Sequence, residues 1–157
     1  MRTYGVDGAQ ITVLTGLMSL GLRALQEPAA AAMMASVPDE ALEAAHPSSC
    51  PVCGGRPTLA VVARSFAMGT GRKLACVQCG TSWEYERIRC AHCGCDDVKK
   101  LGWRSVKGDK RHRIDFCEEC GNYLRTTVVE TRTSSFSIDV EDCVMAAMDS
   151  YSQQGRS

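Results

Sequence analysis

The sequence predicts an α+β protein in which two tandem modules of short antiparallel β-hairpins lie between an N-terminal and a C-terminal helix. Three observations lead to this prediction. Four Cys-x-x-Cys pairs form one matched repeat, short runs of β-forming residues separate them, and apolar residues at helical spacing occupy both ends of the 157-residue chain. The expected organisation is a helical segment over residues 1–47, metal modules over 48–88 and 89–131, and a C-terminal helix and tail over 132–157.

The N-terminal segment predicts one amphipathic helix over residues 8–26, because its apolar residues recur at intervals of three and four. The stripe consists of Ile11, Leu14, Met18, Leu22 and Leu25. Asp7 is the expected N-cap. Pro28 is expected to end the element, although the alanine- and methionine-rich stretch that follows could extend the helical region. Pro38 and the two acidic residues after it resemble a first helical turn, so a short second helix to Ala45 is expected.

Between the cysteine pairs, runs rich in β-branched and aromatic residues predict strands over residues 58–64, 81–89 and 123–131. Glycine-containing turn sequences over residues 69–71 and 107–109 are expected to connect strand pairs. Aromatic residues are only 6% of the chain, so a large aromatic core is not expected, and small domains of this kind need a further source of stability.

The end of the chain predicts a C-terminal helix, Asp139–Tyr151. Its expected apolar face consists of Val140, Val144, Ala147, Met148 and Tyr151. Cys143 lies next to this face, where a free cysteine behaves as a small hydrophobic residue, and it is expected in the core.

The cysteine spacing is the most informative feature. Each half of the repeat has a Cys-x-x-Cys pair, an insert of 22 or 23 residues and a second pair, and the second half follows 40 or 41 residues after the first. This spacing predicts a duplicated zinc-ribbon or rubredoxin-like unit with one four-thiolate metal site in each half. The expected ligands are Cys50, Cys53, Cys76 and Cys79 for the first ion, and Cys90, Cys93, Cys117 and Cys120 for the second.

Four thiolates bind zinc or iron with the same tetrahedral geometry, so the spacing leaves both metals open. Ten cysteines without a convincing secretory signal favour metal over disulfides, and a cytoplasmic location. Saturated sites have no open position, so a structural role is expected, although a closed iron site could pass one electron. Cys95 is expected to be incidental rather than a spare ligand or reactive thiol, and His92 is expected to face solvent.

Other function classes find little support. The formal net charge of zero provides no basis for strong nonspecific attraction to nucleic acid. No nucleophile–base pair, phosphate loop or carboxylate pair is evident, so the chain is predicted not to be an enzyme, and no apolar run is long enough to span a membrane. Trp83 and Tyr85 are expected to pack over a metal turn rather than to form a stacking platform. The basic run over residues 107–113 is expected to be a solvated hairpin tip.

Several segments together resemble the formate dehydrogenase accessory protein FdhE family, over about two thirds of the chain. They are Cys50-Pro51-Val52-Cys53-Gly54-Gly55-Arg56-Pro57, Leu74-Ala75-Cys76-Val77-Gln78-Cys79, Trp83-Glu84-Tyr85-Glu86-Arg87-Ile88-Arg89-Cys90-Ala91-His92-Cys93-Gly94, Cys117-Glu118-Glu119-Cys120-Gly121-Asn122-Tyr123-Leu124 and Asp139-Val140-Glu141-Asp142. The order of these motifs is much more specific than any one cysteine pair.

This resemblance implies a cytoplasmic maturation factor that contacts the catalytic subunit of molybdenum- or tungsten-dependent formate dehydrogenases. It also implies two rubredoxin-like modules that bind iron through the eight cysteines named above. Family members have a helical domain before the cysteines that is several times longer than the segment before Cys50 here. The apolar stripe would then lack intramolecular partners unless it packs on the C-terminal helix, so a homodimer through the N-terminal helix or a partner complex is expected.

Three other functions stay open. A zinc-ribbon module could bind nucleic acid or another protein, although neutral charge and few aromatic residues count against nucleic acid. A rubredoxin-like one-electron carrier would need iron that changes its oxidation state reversibly. A thiol oxidoreductase would need at least one cysteine pair without metal.

Overall fold

The computed structural model describes residues 8–38, 40–41, 48–63, 71–130 and 137–153. Over these residues two long helices accompany a six-stranded sheet, which confirms the predicted α+β class. In chain order the elements are α1 (Gly8–Ser36), β1 (Leu59–Ala63), β2 (Arg72–Ala75), β3 (Ser82–Tyr85), β4 (Leu101–Arg104), β5 (His112–Cys117), β6 (Tyr123–Val129) and α2 (Ile138–Gln153).

The strands form one sheet in the order β3-β2-β1-β6-β5-β4. Within each half the pairing is antiparallel, between β1, β2 and β3 in the first half and between β4, β5 and β6 in the second. The two halves join where β1 pairs parallel with β6, from Leu59 opposite Arg125 to Ala63 opposite Val129. The sequence predicts hairpins within each module, and it does not predict the parallel pairing that makes one sheet of them. The domain boundaries stay a prediction.

Both halves of the sheet have the same order of parts. In each, a cysteine pair precedes two strands, a second cysteine pair follows, and a third strand ends the unit. Strand β1 therefore corresponds to β4, and β3 corresponds to β6. Because β1 pairs with β6, the first strand of one module meets the last strand of the other, and the modules are arranged head to tail.

The predicted strands correspond to β1, β3 and β6, but α1 differs from its prediction. It continues through Pro28 and ends at Ser36, so the expectation that Pro28 ends the helix is wrong. A proline inside a helix removes one backbone hydrogen bond and costs about 3 kcal/mol. The alanines that follow are strong helix formers, and Ala30 is buried in the core beside the first cysteine group, which offsets that cost. Most of the predicted helix from Pro38 to Ala45 lies outside the described residues.

The C-terminal helix α2 is present, and the face it buries agrees with the prediction at Met148 but differs at Val140 and Val144. Met145, Met148 and Glu141 are buried, whereas Val140 and Val144 are 58% and 54% exposed. The side chains of the predicted Ala147 and Tyr151 lie outside the described set. The reason is that the sheet surface under α2 is partly polar, so the helix turns an acidic residue toward the sheet.

The two faces of the sheet have separate cores. On the α2 side, Met145 and Met148 pack with Leu59, Ala75 and Ile114. The opposite face contains the first cysteine group and a cluster of apolar side chains. Its other members include Ala60, Leu74, Trp83, Tyr85 and Leu124. Trp83 and Tyr85 are buried there, which confirms the interpretation that they pack in the core.

A polar cluster holds α2 on the sheet. Glu141 accepts hydrogen bonds from Thr127 Oγ1 at 3.0 Å and from the Arg111 guanidinium, and its Oε2 lies 3.0 Å from His112 Nε2. His112 Nδ1 lies 3.0 Å from Asp109 Oδ2. Burial raises the pKa of Glu141, but the hydrogen bonds from Arg111, Thr127 and His112 outweigh it and lower the pKa. Arg111 and His112 therefore anchor the helix. The expectation of a solvated basic tip is wrong for His112, whereas the Arg111 side chain is 52% exposed.

We expect Glu141→Gln to lower the free energy of unfolding by about 1–3 kcal/mol, because buried hydrogen bonds to a charged group are lost. Urea unfolding at pH 7 measures this, and Glu118→Gln, on an exposed side chain, should stay within about 0.5 kcal/mol of wild type. Equal midpoints and slopes for the two variants would contradict the anchoring role of Glu141.

Candidate metal centres

Each cysteine pair lies in a tight turn with the same backbone hydrogen bonds. The N–H of the following glycine donates to the carbonyl of the first cysteine at 2.9–3.0 Å, and the first cysteine's N–H donates to the carbonyl five residues later at 2.7–3.0 Å. The glycines are Gly54, Gly80, Gly94 and Gly121, with φ between 67° and 76°. A side chain disfavours these left-handed values, which explains why a glycine follows every pair.

The turns bring the eight cysteines together in two groups of four, in which all sulfurs lie within 4.8 Å of one another. In the first group the closest sulfur pairs, Cys50–Cys79 and Cys53–Cys76, are 3.5 and 3.6 Å apart. In the second, Cys90–Cys120 and Cys93–Cys117 are 3.7 and 3.8 Å apart.

These distances fit a metal ion and exclude disulfides. A tetrahedral ion with metal–sulfur bonds of about 2.3 Å places its sulfurs about 3.8 Å apart. A disulfide needs about 2.05 Å, and all ten cysteines are free. Each group could therefore hold one metal ion, and soft thiolate ligands suit both zinc and iron.

The two groups differ in their surroundings. Cys50, Cys76 and Cys79 are buried and belong to the core cluster that includes Trp83. In the second group Cys93 is exposed and Cys120 is partly exposed. In the first group Cys53 is exposed as well. Each group therefore has one exposed cysteine, and the first group differs in that its other three cysteines belong to the core cluster.

In the first group, the thiols differ in acidity. Burial raises the pKa of Cys79, but contacts with Thr81 and the neighbouring cysteines outweigh it, and the pKa is about 7. Cys79 Sγ lies 3.2 Å from Thr81 Oγ1. Burial raises the pKa of Cys76 to about 12. An incoming cation must therefore displace protons, and its affinity rises with pH.

The second group repeats this contrast. Burial raises the pKa of Cys120, but hydrogen bonds from Asn122 and contacts with Cys93 and Cys90 bring it to about 7. The backbone of Cys95 lowers the pKa of Cys93, yet burial and contacts with the other three thiols raise it to about 12. Each group has one thiol that is easily deprotonated and can bind the cation first.

The two remaining cysteines lie outside both groups. The carbonyl of Cys95 accepts a hydrogen bond from the N–H of Cys90 at 2.7 Å. In the other three turns, the carbonyls of Gly55, Thr81 and Asn122 accept the equivalent hydrogen bond. Its backbone therefore completes a turn, and its sulfur is not part of the four-sulfur group. Cys143 is exposed on α2, so its expected place in the core is wrong. The rotation of α2 that buries Glu141 turns Cys143 outward.

His92 also differs from its prediction. Its Nε2 lies 3.1 Å from the carbonyl oxygen of Tyr123, and its Nδ1 is buried without a hydrogen-bond partner among the described residues. The side chain thus faces inward and connects the third cysteine turn to β6. His46 lies outside the described residues.

Comparisons with known proteins agree with this arrangement. The sequence model of the family described as "FdhE, central domain" matches residues 49–87, which contain the first cysteine group. The "Protein FdhE homolog" of Shewanella baltica (strain OS185) is 32% identical over 106 residues, which cover 68% of this chain and 34% of that protein. The homolog of Aquifex aeolicus (strain VF5) is 26% identical over 106 residues, covering 67% and 37%.

The fold has a counterpart among solved structures. The crystal structure of the FdhE protein from Pseudomonas aeruginosa matches with a TM-score of 0.57 and 24% identity, over 69% of this chain and 37% of that one. The chain spans about a third of the length of the curated relatives it matches. None of the described helices is long and apolar enough to cross a membrane.

We expect Cys76→Ser to remove the metal of the first group, so that bound metal falls from about two ions per chain to about one. Because metal binding supplies much of the folding energy of such modules, the thermal midpoint should fall and the far-UV spectrum should change. Elemental analysis and circular dichroism measure both effects. Cys143→Ser, outside the groups, is the matched control, and identical results for the two variants would rule out a structural metal in the first group.

Proposed function

Because the chain belongs to the FdhE family over about two thirds of its length, we propose that it is a non-catalytic accessory factor for a molybdenum- or tungsten-dependent formate dehydrogenase. It binds the catalytic subunit of that enzyme in the cytoplasm, before the enzyme is assembled or exported. The observation that carries the proposal is that both four-cysteine groups are complete within a chain whose central part matches the family.

The geometry supports a binding role more than a catalytic one. Four sulfurs around one ion leave no open position for a substrate or an activated water. The ion in each site is iron in this proposal, as the family resemblance implies, with zinc as the alternative that the same sulfurs would accept. When iron is bound, four thiolates hold it in a site that can change oxidation state by one electron.

One observation favours a second function, a one-electron carrier. Cys53 and Cys93 are exposed, so each group has one ligand residue at the protein surface. Electron transfer to a partner is fastest where a ligand of the metal reaches the surface. The rival nucleic-acid function loses support, since Trp83 and Tyr85 are buried and no base can stack on them.

The N-terminal helix supports a proposal about assembly. Arg23 of α1 donates to the Val77 carbonyl at 3.1 Å and pairs with Asp139 of α2, and Ala30 packs in the core. The apolar stripe is on another face, about a third of a turn away. Its described members are exposed: Leu14, Met18, Leu22 and Leu25.

We propose that this stripe pairs with the same stripe of a second copy. The stripe carries no charge, so two copies can meet without like-charge repulsion, and a homodimer with twofold symmetry uses one surface twice. Leu25 is 76% exposed, and a dimer would remove such apolar surface from water.

The accessory function predicts retention of a specific client. We expect the metal-loaded chain, used as bait under anaerobic conditions, to retain the catalytic subunit of a formate dehydrogenase coexpressed with it. Cys76→Ser should retain much less and Cys143→Ser as much as wild type. Two irons per chain with thiolate charge-transfer bands are expected in the same sample. A folded, metal-loaded bait that retains no catalytic subunit would overturn the proposal.

The dimer is tested by light scattering at micromolar concentration. We expect wild type to have the mass of two chains and Leu22→Glu to have the mass of one, because a charge in the apolar interface cannot be paired. Ala24→Glu changes an exposed residue of the same helix outside the stripe and should leave the mass unchanged. A monomeric wild-type protein would contradict the dimer proposal and would not affect the proposal that the chain binds a formate dehydrogenase subunit.

A further inference from the structure

A cavity of about 220 Å³ lies on the sheet face opposite α2, beside the segment 86–92 that connects the two modules. Trp103 of β4 pairs with Asp115 of β5, so both side chains belong to this face. Arg87 and His92 are among the lining residues contributed by the connecting segment. A second cavity adjoins the first and shares Arg87, Trp103 and Arg113 with it. We call the joint space the arginine cleft.

Arg72 lines this cleft and is only 5% exposed. Its Nη1 donates to the carbonyl of Arg89 at 2.8 Å, but its Nε has no hydrogen-bond partner among the described residues. Its nearest carboxylate, Asp115, lies 3.9 Å away. Burial lowers the pKa of Arg72, because the charged form is poorly solvated there, while Asp115 acts in the opposite direction. A buried cation with one distant counter-charge is costly to maintain.

Asp115 alone cannot neutralise the positive charge of the cleft. It also pairs with Arg113 Nε at 2.8 Å and accepts a hydrogen bond from Thr126 Oγ1 at 2.8 Å. It is the only carboxylate among the described lining residues of the first cavity, against four arginines. They are Arg72, Arg87, Arg89 and Arg113. Arg89 pairs with Glu86 outside the lining, whereas Arg87 has no ion pair among the described residues. The second cavity adds Lys110 and Asp109, so the joint cleft has five cationic side chains against two carboxylates. Cys90 and Cys117 of the second cysteine group also line it, and four thiolates around a divalent ion carry two negative charges, which leaves an excess positive charge of about one. This excess suits an anionic group.

The rim of the cleft is apolar. Trp103, Ile88 and Val98 line it and are 61%, 55% and 66% exposed. The Arg113 guanidinium lies 5.5 Å from the centre of the Trp103 ring, so the ring is oriented by a cation–π contact. A ligand that fits this rim carries an apolar group next to its negative charge.

The sheet edge beside the cleft can bind an extended chain. The strand order places β4 at the edge, with β5 as its neighbour in the described sheet. An edge strand offers its outward N–H and C=O groups to an added strand, while pockets beside it take alternate side chains. Leu101, Gly102 and Trp103 of β4 line the first cavity, so an added strand would place side chains in the cleft.

We propose that the arginine cleft binds an extended acidic segment of a partner polypeptide, with the segment added to β4. A carboxylate of the segment pairs with Arg72 and Arg87, and an adjacent apolar side chain packs on Trp103. The edge strand and the neutral overall charge favour a peptide over nucleic acid. This inference rests on the proposed function, since it says that the client binds through an acidic, extended segment.

The test uses fluorescence anisotropy of the full, metal-loaded chain with a labelled peptide in which glutamate alternates with leucine. We expect binding that weakens with salt, weakens at least tenfold in Arg87→Glu and weakens severalfold in Trp103→Ala. Arg56→Glu, an exposed arginine that lines neither cavity, should stay within about twofold of wild type. Equal binding of a glutamine-for-glutamate peptide, or no effect of Arg87→Glu, would overturn the inference. Tighter binding of a thymidine oligonucleotide that the same variants abolish would also overturn it.

The same variants separate this inference from the proposed function. If Arg87→Glu retains the formate dehydrogenase subunit as well as wild type does, the accessory function stands and the cleft is not its docking site. If the acidic peptide binds through Arg87 and Trp103 but no client is retained, the cleft stands as a peptide site and the accessory function fails. A thermal melt of each variant verifies that these exposed substitutions leave the fold intact.

Discussion

The two metal modules meet where β1 pairs with β6, and both faces of the sheet are organised around that pairing. Thr126 and Thr127 of β6 are fully buried, and as neighbours in a strand they point to opposite faces. Thr126 donates to Asp115 on the cleft side, whereas Thr127 donates to Glu141 of α2. The strand that joins the modules therefore also positions the carboxylate of the cleft and the carboxylate that holds the helix.

Features that depend on near neighbours follow from the sequence. The cysteine pairs form tight turns because a glycine follows each one, and the structure brings them into the two groups that their spacing predicts. Both long helices and the strands β1, β3 and β6 also form where local composition predicts them. In these places the residues that decide the conformation lie within a few positions of one another, so a pattern in the sequence contains them.

Features that depend on residues far apart in the chain could not be predicted from the sequence. Hydropathy assigns Val144 to the buried face of α2. The orientation is decided instead by the partners of Glu141, which lie on β5, on β6 and directly before β5, 14–30 residues earlier in the chain. The prediction that α1 ends at Pro28 is wrong for the same reason, because the packing of Ala30 in the core determines that the helix continues. The arginine cleft combines Arg72 of one module with Asp115 of the other, and only the sheet order brings them together.

The head-to-tail arrangement of the modules has a consequence for solubility. The two strands at the ends of the sheet are β4 and β3. They are the counterparts of β1 and β6, the two strands that join the modules within the chain. An interface that joins a first strand to a last strand has no intrinsic end, so the contact that joins two modules can in principle repeat between chains and produce a fibre. The internal duplication that doubles the metal sites thus also creates two matching edges that the chain must keep apart.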